Sequence, residues 1–191
     1  MSLVIDVGHG WRATGPSKTF DPGAVGRLNE KAYAEHNIAL MYARSLRDAC
    51  LALDPTLSVH LLVATEANPL TLAKRRAYMP SASALLSIHL NAHTNRLARG
   101  HEVWYHHESH LPFAQAVYRA GVDALGLPRR GIRQQAFTVL RRERPAALVE
   151  LGFISNVDDL QQLLLTTVRT DWARAVAHAI RQYLSSGGAQ N

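Results

Sequence analysis

Apolar and polar positions alternate along the chain in blocks that change period several times. Residues 3–7, LVIDV, are an apolar run stopped by Gly8 and predict a buried strand. Residues 8–28 are rich in Gly, Pro, Ser and Thr and are expected to form one long loop, a feature that in compact domains is usually functional. Asn29 is placed to cap the next helix, which carries Ile38, Tyr42, Leu46, Ala49 and Leu53 on one face and ends at Pro55. SVHLLVA at 58–64 reads as a second strand, and a short helix is expected from Pro69 to about Met79. Residues 84–90, ALLSIHL, give a third strand, and HEVWYHH at 101–107 alternates as a half-exposed strand does. A helix over 112–125 stops at Gly126 and Pro128, and AFTVL (136–140) and AALVEL (146–151) read as two more strands. Helical segments begin at Asn156 and Asp158, the last over about 171–184, and residues 185–191 are expected to fray. Strands alternating with helices predict an α/β fold. The expectation is a single three-layer domain over 1–191, with a central, mostly parallel, mixed sheet of about six strands and helices on both faces.

Composition narrows the partners. The 191 residues are 47% hydrophobic and 19% charged, which is globular, and no apolar run is long enough to span a bilayer. MSLVIDVGHG has no basic segment followed by an apolar stretch, so no export signal is expected. The net charge of +6 makes nucleic acid one conceivable partner and an acidic polymer such as bacterial wall another. Arg129, Arg130, Arg133, Arg141, Arg142 and Arg144 cluster in sequence and read as a solvated basic face. Cys50 is the single cysteine, inside an apolar helical pattern, so it reads as a small buried hydrophobe and a cysteine-based zinc site is excluded. With ten histidines present, any metal would be held by His and carboxylate.

Three ionisable residues stand at strand ends: His9 after the first strand, His89 in SIHL and Glu150 in ALVEL. Ligands of open α/β sheets bind beyond the carboxyl ends of the strands, where the three could meet. Glu30 follows the long loop as a fourth. Two histidines and a carboxylate make a common catalytic zinc site, and a second carboxylate can act as general base and acid. Spacing alone does not say which glutamate does which. Glu150 costs several kcal/mol inside an apolar strand unless paired or bound to a metal. The other histidines show no converging pattern and read as structural or surface residues. VIDVGHGWRATG places glycines after a strand but lacks the GK[ST] ending of a phosphate loop.

VIDVGHG, DPGAVG, NEK (29–31), LAKR (72–75), LLSIHLNAH (85–93) and FTVLRRERPAALVELGFISN (137–156) occur in that order over nearly the whole chain. Together they resemble the zinc-type N-acetylmuramoyl-L-alanine amidase family. The resemblance implies one zinc per chain held by His9, Glu30 and His89, with Glu150 as the catalytic glutamate. It also implies a peptidoglycan substrate and no nucleic acid, the cut falling between the lactyl group and L-alanine. Arg75 matches an arginine of the family's L-x-x-R motif, for which a structural role is expected, and Asn91 a polar residue shaping the crevice. The sequence departs from the pattern in a lengthened Trp11–Phe20 loop and in Ala64-Thr65-Glu66, where a T-R pair is usual. There is no room for the helical insert that blocks zinc in some exported relatives, so no obligatory activator is expected. Action on the wall as a phage-type lysis enzyme, or as an autolysin trimmed of its signal, follows. The alternatives are a peptidase on the same fold and a non-catalytic wall-binding domain.

Overall fold

The computed structural model describes residues 1–14 and 17–187. β1 (Ser2–Val7) begins the chain, and the stretch expected to be a loop folds into two hairpins instead. In the first, β2 (Gly10–Thr14) pairs with β3 (Ser17–Asp21), with Trp11 and Phe20 packed edge to face across it. In the second, β4 (Val25–Leu28) pairs with β5 (Lys31–Ala34). Asn29 and Glu30 form the turn of that hairpin, with φ of 48° and 63°. Two consecutive left-handed residues match the twist of a two-residue hairpin turn, and Asn tolerates that conformation best. Asn29 is therefore a turn residue and no helix cap.

Helix α1 (Glu35–Leu53) starts after β5, burying Ile38, Tyr42, Leu46 and Cys50 as its apolar spacing predicts. Burial pushes the Cys50 thiol up to about 12. β6 (Ser58–Leu62) and α2 (Leu72–Ala77) follow, the latter capped by the Thr71 side chain on Lys74 N. Then come β7 (Ala84–Asn91), β8 (His101–Tyr105) and α3 (Leu111–Leu125), which Gly126 ends in the left-handed conformation. The sixth strand of the sheet is β9 (Arg129–Gln134), not the predicted AFTVL. AFTVL contributes a 3₁₀ turn (Thr138–Leu140) whose Val139 and Leu140 are buried against Val4, Leu85 and Leu148. An edge strand exposes much of its surface and can be charged, whereas a covering turn must be apolar, which inverts the sequence signal. β10 (Ala146–Phe153), α4 (Val157–Leu163) and α5 (Thr166–Ser185) complete the fold. Asn156 caps α4, accepting from Asp159 N at 3.0 Å. Of the tail expected to fray, Ser185 ends α5 and residues 188–191 lie outside the described residues.

The sheet order is β6-β1-β7-β10-β8-β9. The first four strands are parallel, β8 runs antiparallel to β10, and β9 is parallel to β8. The predicted six-stranded, mostly parallel mixed sheet is therefore present. One face carries α1, α3 and α5 over the larger core, where Trp172 packs edge to face on Tyr42 at 5.3 Å. The other, among the described residues, carries α2, the 3₁₀ turn and a smaller cluster. The thin face leaves the carboxyl ends of β1, β7 and β10 open.

Candidate metal centre and active site

Three of the four sequence candidates reach that end of the sheet. His9 follows β1, with φ of 61°, a conformation that costs a non-glycine residue about 1–3 kcal/mol unless its surroundings hold it. Arg75, buried on α2, does so: Nη1 donates to Asp6 Oδ1 and to the Val7 carbonyl, each at 2.6 Å, and Nη2 donates to the His9 carbonyl. His89 projects from β7, and Glu150 from β10 in direct register with it. Gly8 is required here, since a Cβ would lie 2.5 Å from the His89 ring.

Glu30 does not join them. It is exposed in the β4–β5 turn, while Glu35, the first residue of α1 and only 4% exposed, stands between the two histidines. Glu35 Oε1 lies 3.1 Å from His9 Nε2 and 2.9 Å from His89 Nδ1. The Leu90 and Ala24 amides donate to its two oxygens at 3.1 and 3.0 Å. Gly23, with φ of 72°, passes so close that a Cβ would meet Glu35 Oε2 and the His9 ring, each at 2.6 Å. His9, Glu35 and His89 each offer one ligand atom within 4.8 Å of the others, the only such group of three among the described residues. A tetrahedral zinc with ligands about 2.0–2.2 Å away separates its ligand atoms by roughly 3.3 Å. The donor types and the observed 2.9–3.1 Å spacings from Glu35 fit that ion.

Asp21, at the base of the β2–β3 hairpin, accepts from His9 Nδ1 at 2.9 Å and pairs with Arg12. A carboxylate on the far nitrogen fixes the tautomer that leaves Nε2 free for a metal. Electrostatics follow from these contacts. Burial pushes Glu35 up, but the hydrogen bonds from His89 and His9 outweigh it, and its carboxyl sits well below the usual range. Burial likewise pulls His9 down, but Glu35 and Asp21 together raise it.

Glu150 has the opposite environment. Burial first, then the charges of Glu35 and Glu102, raise it well above the usual carboxylate range, and its Oε2 is buried without a hydrogen-bond partner. Glu102 is its register neighbour on β8. Asn91 donates to Glu102 Oε1 at 2.7 Å, which ties the end of β7 to β8 across β10. His36 is structural, as expected: its Nδ1 donates to the Gly8 carbonyl at 2.8 Å.

Sequence reasoning missed Glu35 and Asp21. Glu35 had a readable signal, for it lies on the same helical face as Ile38, Tyr42 and Leu46 and so points inward. Asp21 lay within DPG, where an aspartate reads first as a turn residue.

Solved structures resemble this fold closely. The catalytic domain of CwlV, an N-acetylmuramoyl-L-alanine amidase from Bacillus (Paenibacillus) polymyxa var. colistinus, superposes with a TM-score of 0.83 at 30% identity, covering 96% of this chain and 98% of that one. An N-acetylmuramoyl-L-alanine amidase from Clostridium difficile 630 gives 0.78 at 28% identity, covering 97% of each chain. The probable cell wall amidase LytH of Staphylococcus aureus is 28% identical over 187 residues, which are 97% of this chain and 59% of LytH. The Staphylococcus epidermidis protein of that name is 35% identical over 104 residues, 54% of this chain and 36% of its own length. The chain thus matches about a third to three fifths of these curated relatives. The family model for N-acetylmuramoyl-L-alanine amidase matches residues 3–182, and the chain belongs to that family.

Proposed function

We propose that this chain is a zinc-dependent peptidoglycan amidase that hydrolyses the amide between the lactyl group of N-acetylmuramic acid and L-alanine of the stem peptide. The observation that carries the reading is the meeting of His9, Glu35 and His89, with half-buried Glu150, whose buried Oε2 lacks a hydrogen-bond partner, in register beside His89. His9, Glu35 and His89 would hold one zinc, Glu35 replacing Glu30 in the expected set. Zinc bound there would lower the pKa of water towards about 7 and polarise the amide carbonyl.

The chain's own residues do the rest. Asp21 and Arg75 fix the His9 ring and backbone, so that the site is set before substrate arrives. Glu150 takes a proton from the attacking water as its oxygen bonds to the carbonyl carbon. It then gives that proton to the amide nitrogen as the C–N bond breaks, leaving a carboxylate on the lactyl side and a free amine on alanine. A carboxyl raised by burial and by the neighbouring Glu35 and Glu102 charges holds a proton more readily than an exposed one, as that second step needs. The substrate places the action at the wall. The stretch from β8 to β9 holds one 3₁₀ turn and α3, which supports activity without a protein activator. No helix among the described residues is long and apolar enough to cross a membrane.

Mass spectrometry of purified sacculi after digestion tests the reading. Release of stem peptides with free L-alanine amino termini is expected. Cuts within the stem would make the chain a peptidase instead, and zinc-containing protein without turnover would make it a wall-binding domain.

A further inference from the structure

The arginine cluster seen in the sequence does not act as one surface. Two of its members, Arg130 and Arg133 on β9, converge on Glu102, whose side chain is buried. Arg130 Nε lies 2.9 Å and Arg133 Nε 3.4 Å from the same oxygen, Oε2. The Arg130 guanidinium lies over the Phe153 ring at 4.8 Å and that of Arg133 over Trp104 at 5.7 Å. Each head group is thus fixed by an acid and a ring, while its terminal nitrogens have no protein partner among the described residues. One carboxylate faces two cations, so the group keeps a net positive charge. Its side chains are 30% and 46% exposed.

Its position is set by the sheet. His89, Glu150 and Glu102 are register partners on β7, β10 and β8 and lie on one face. β9 is the next strand, two strand spacings, or about 10 Å, from β10. An extended peptide rises about 3.3 Å per residue, so that distance equals some three residues. On the glycan side of the scissile amide the groups are neutral hydroxyls and acetamides, whereas the peptide side carries carboxylates.

We propose that Arg130 and Arg133 form a carboxylate-binding pair that selects stem peptides with a free carboxylate two to three residues beyond the amide to be cut. The proposal rests on the amidase reading. Guanidinium and carboxylate pair through two parallel hydrogen bonds, and heads already ordered by Glu102, Phe153 and Trp104 lose little freedom on binding.

The test uses the full zinc-loaded chain and two synthetic muropeptides that differ only in whether the stem carboxylates are free or primary amides. The measurements are kcat/KM for both and calorimetric binding of both. The free stem should be favoured by about five- to tenfold. Arg133→Gln should bring that ratio to within about twofold of one. Equal use of both stems by the unaltered chain, or an unchanged ratio in the variant, overturns the proposal. So does equal weakening of both stems, which means contacts that do not read the carboxylate. If neither stem is cut but binding shows the preference and its loss, the amidase reading fails and the carboxylate pair stands. If Arg133→Gln loses its zinc or its thermal transition, Arg133→Lys carries the test, with a ratio expected between that of the unaltered chain and one.

Discussion

Exchanging the two neighbouring glutamates separates the geometry seen here from the sequence pattern. Glu35→Gln keeps the shape of a buried side chain but removes its charge, whereas Glu30→Gln alters an exposed turn. Losing a group that merely orients a ligand costs 10–100-fold in metal affinity, so losing a direct carboxylate ligand should cost at least about 100-fold. Zinc at about 100 times its dissociation constant stabilises a folded protein by about 2.7 kcal/mol. For a chain of this size that is a rise in Tm of roughly 5–11 °C. At the same zinc concentration a 100-fold weaker site gains only about 0.4 kcal/mol, a shift of roughly 1 °C. Thermal unfolding with and without zinc reads the difference within each variant and so cancels any baseline loss. The Glu30→Gln shift should equal that of the unaltered chain, and the Glu35→Gln shift should nearly vanish. A full shift in Glu35→Gln, or a lost one in Glu30→Gln, would refute the ligand set.

Glu150→Gln should keep its zinc and lose turnover by about 10²–10⁴-fold, measured by metal analysis and sacculus release on one preparation; loss of zinc would make Glu150 a ligand. Asp21→Asn should weaken zinc binding by about 10–100-fold in a chelator competition without changing the fold by circular dichroism, and an unchanged affinity would remove Asp21 from the site. Acid should destabilise the chain through His101, which burial pulls down to about 4 while its Nδ1 donates to the Glu150 carbonyl. The unfolded chain binds the extra proton, so stability falls as pH drops from about 6.5 to about 4, by about 3 kcal/mol for this residue. Urea unfolding of His101→Gln across that range should show a correspondingly shallower slope.

The strands were legible where burial is complete. LVIDV, ALLSIHL and AALVEL are apolar on both faces because the sheet is covered on both sides, and periodicity needs nothing more to find them. The hairpins of residues 10–34 escaped because each is a two-stranded ribbon of short strands that bury little and so carry no regular alternation. Strand β9 escaped because its place at the edge permits RRGIRQ. The two histidines and Glu150 could be named from strand ends, since sheet topology delivers such residues to one crevice. Choosing between Glu30 and Glu35 needed the start of α1, and reading Asn29 as a cap moved that start five residues too early.

The first hairpin has a practical consequence. Its closed base, where Gly10 pairs with Asp21, adjoins His9, while the pairing of Thr14 with Ser17 lies at the far end of the ribbon. Among the described residues β2 and β3 pair as a sheet only with each other, and Trp11, one residue from the base, bonds through its backbone to Ala64 and Leu70, which anchors the ribbon next to His9 and leaves the far end away from the strands that seat the histidines. That makes the far end a natural splice point for grafting a wall-recognition peptide.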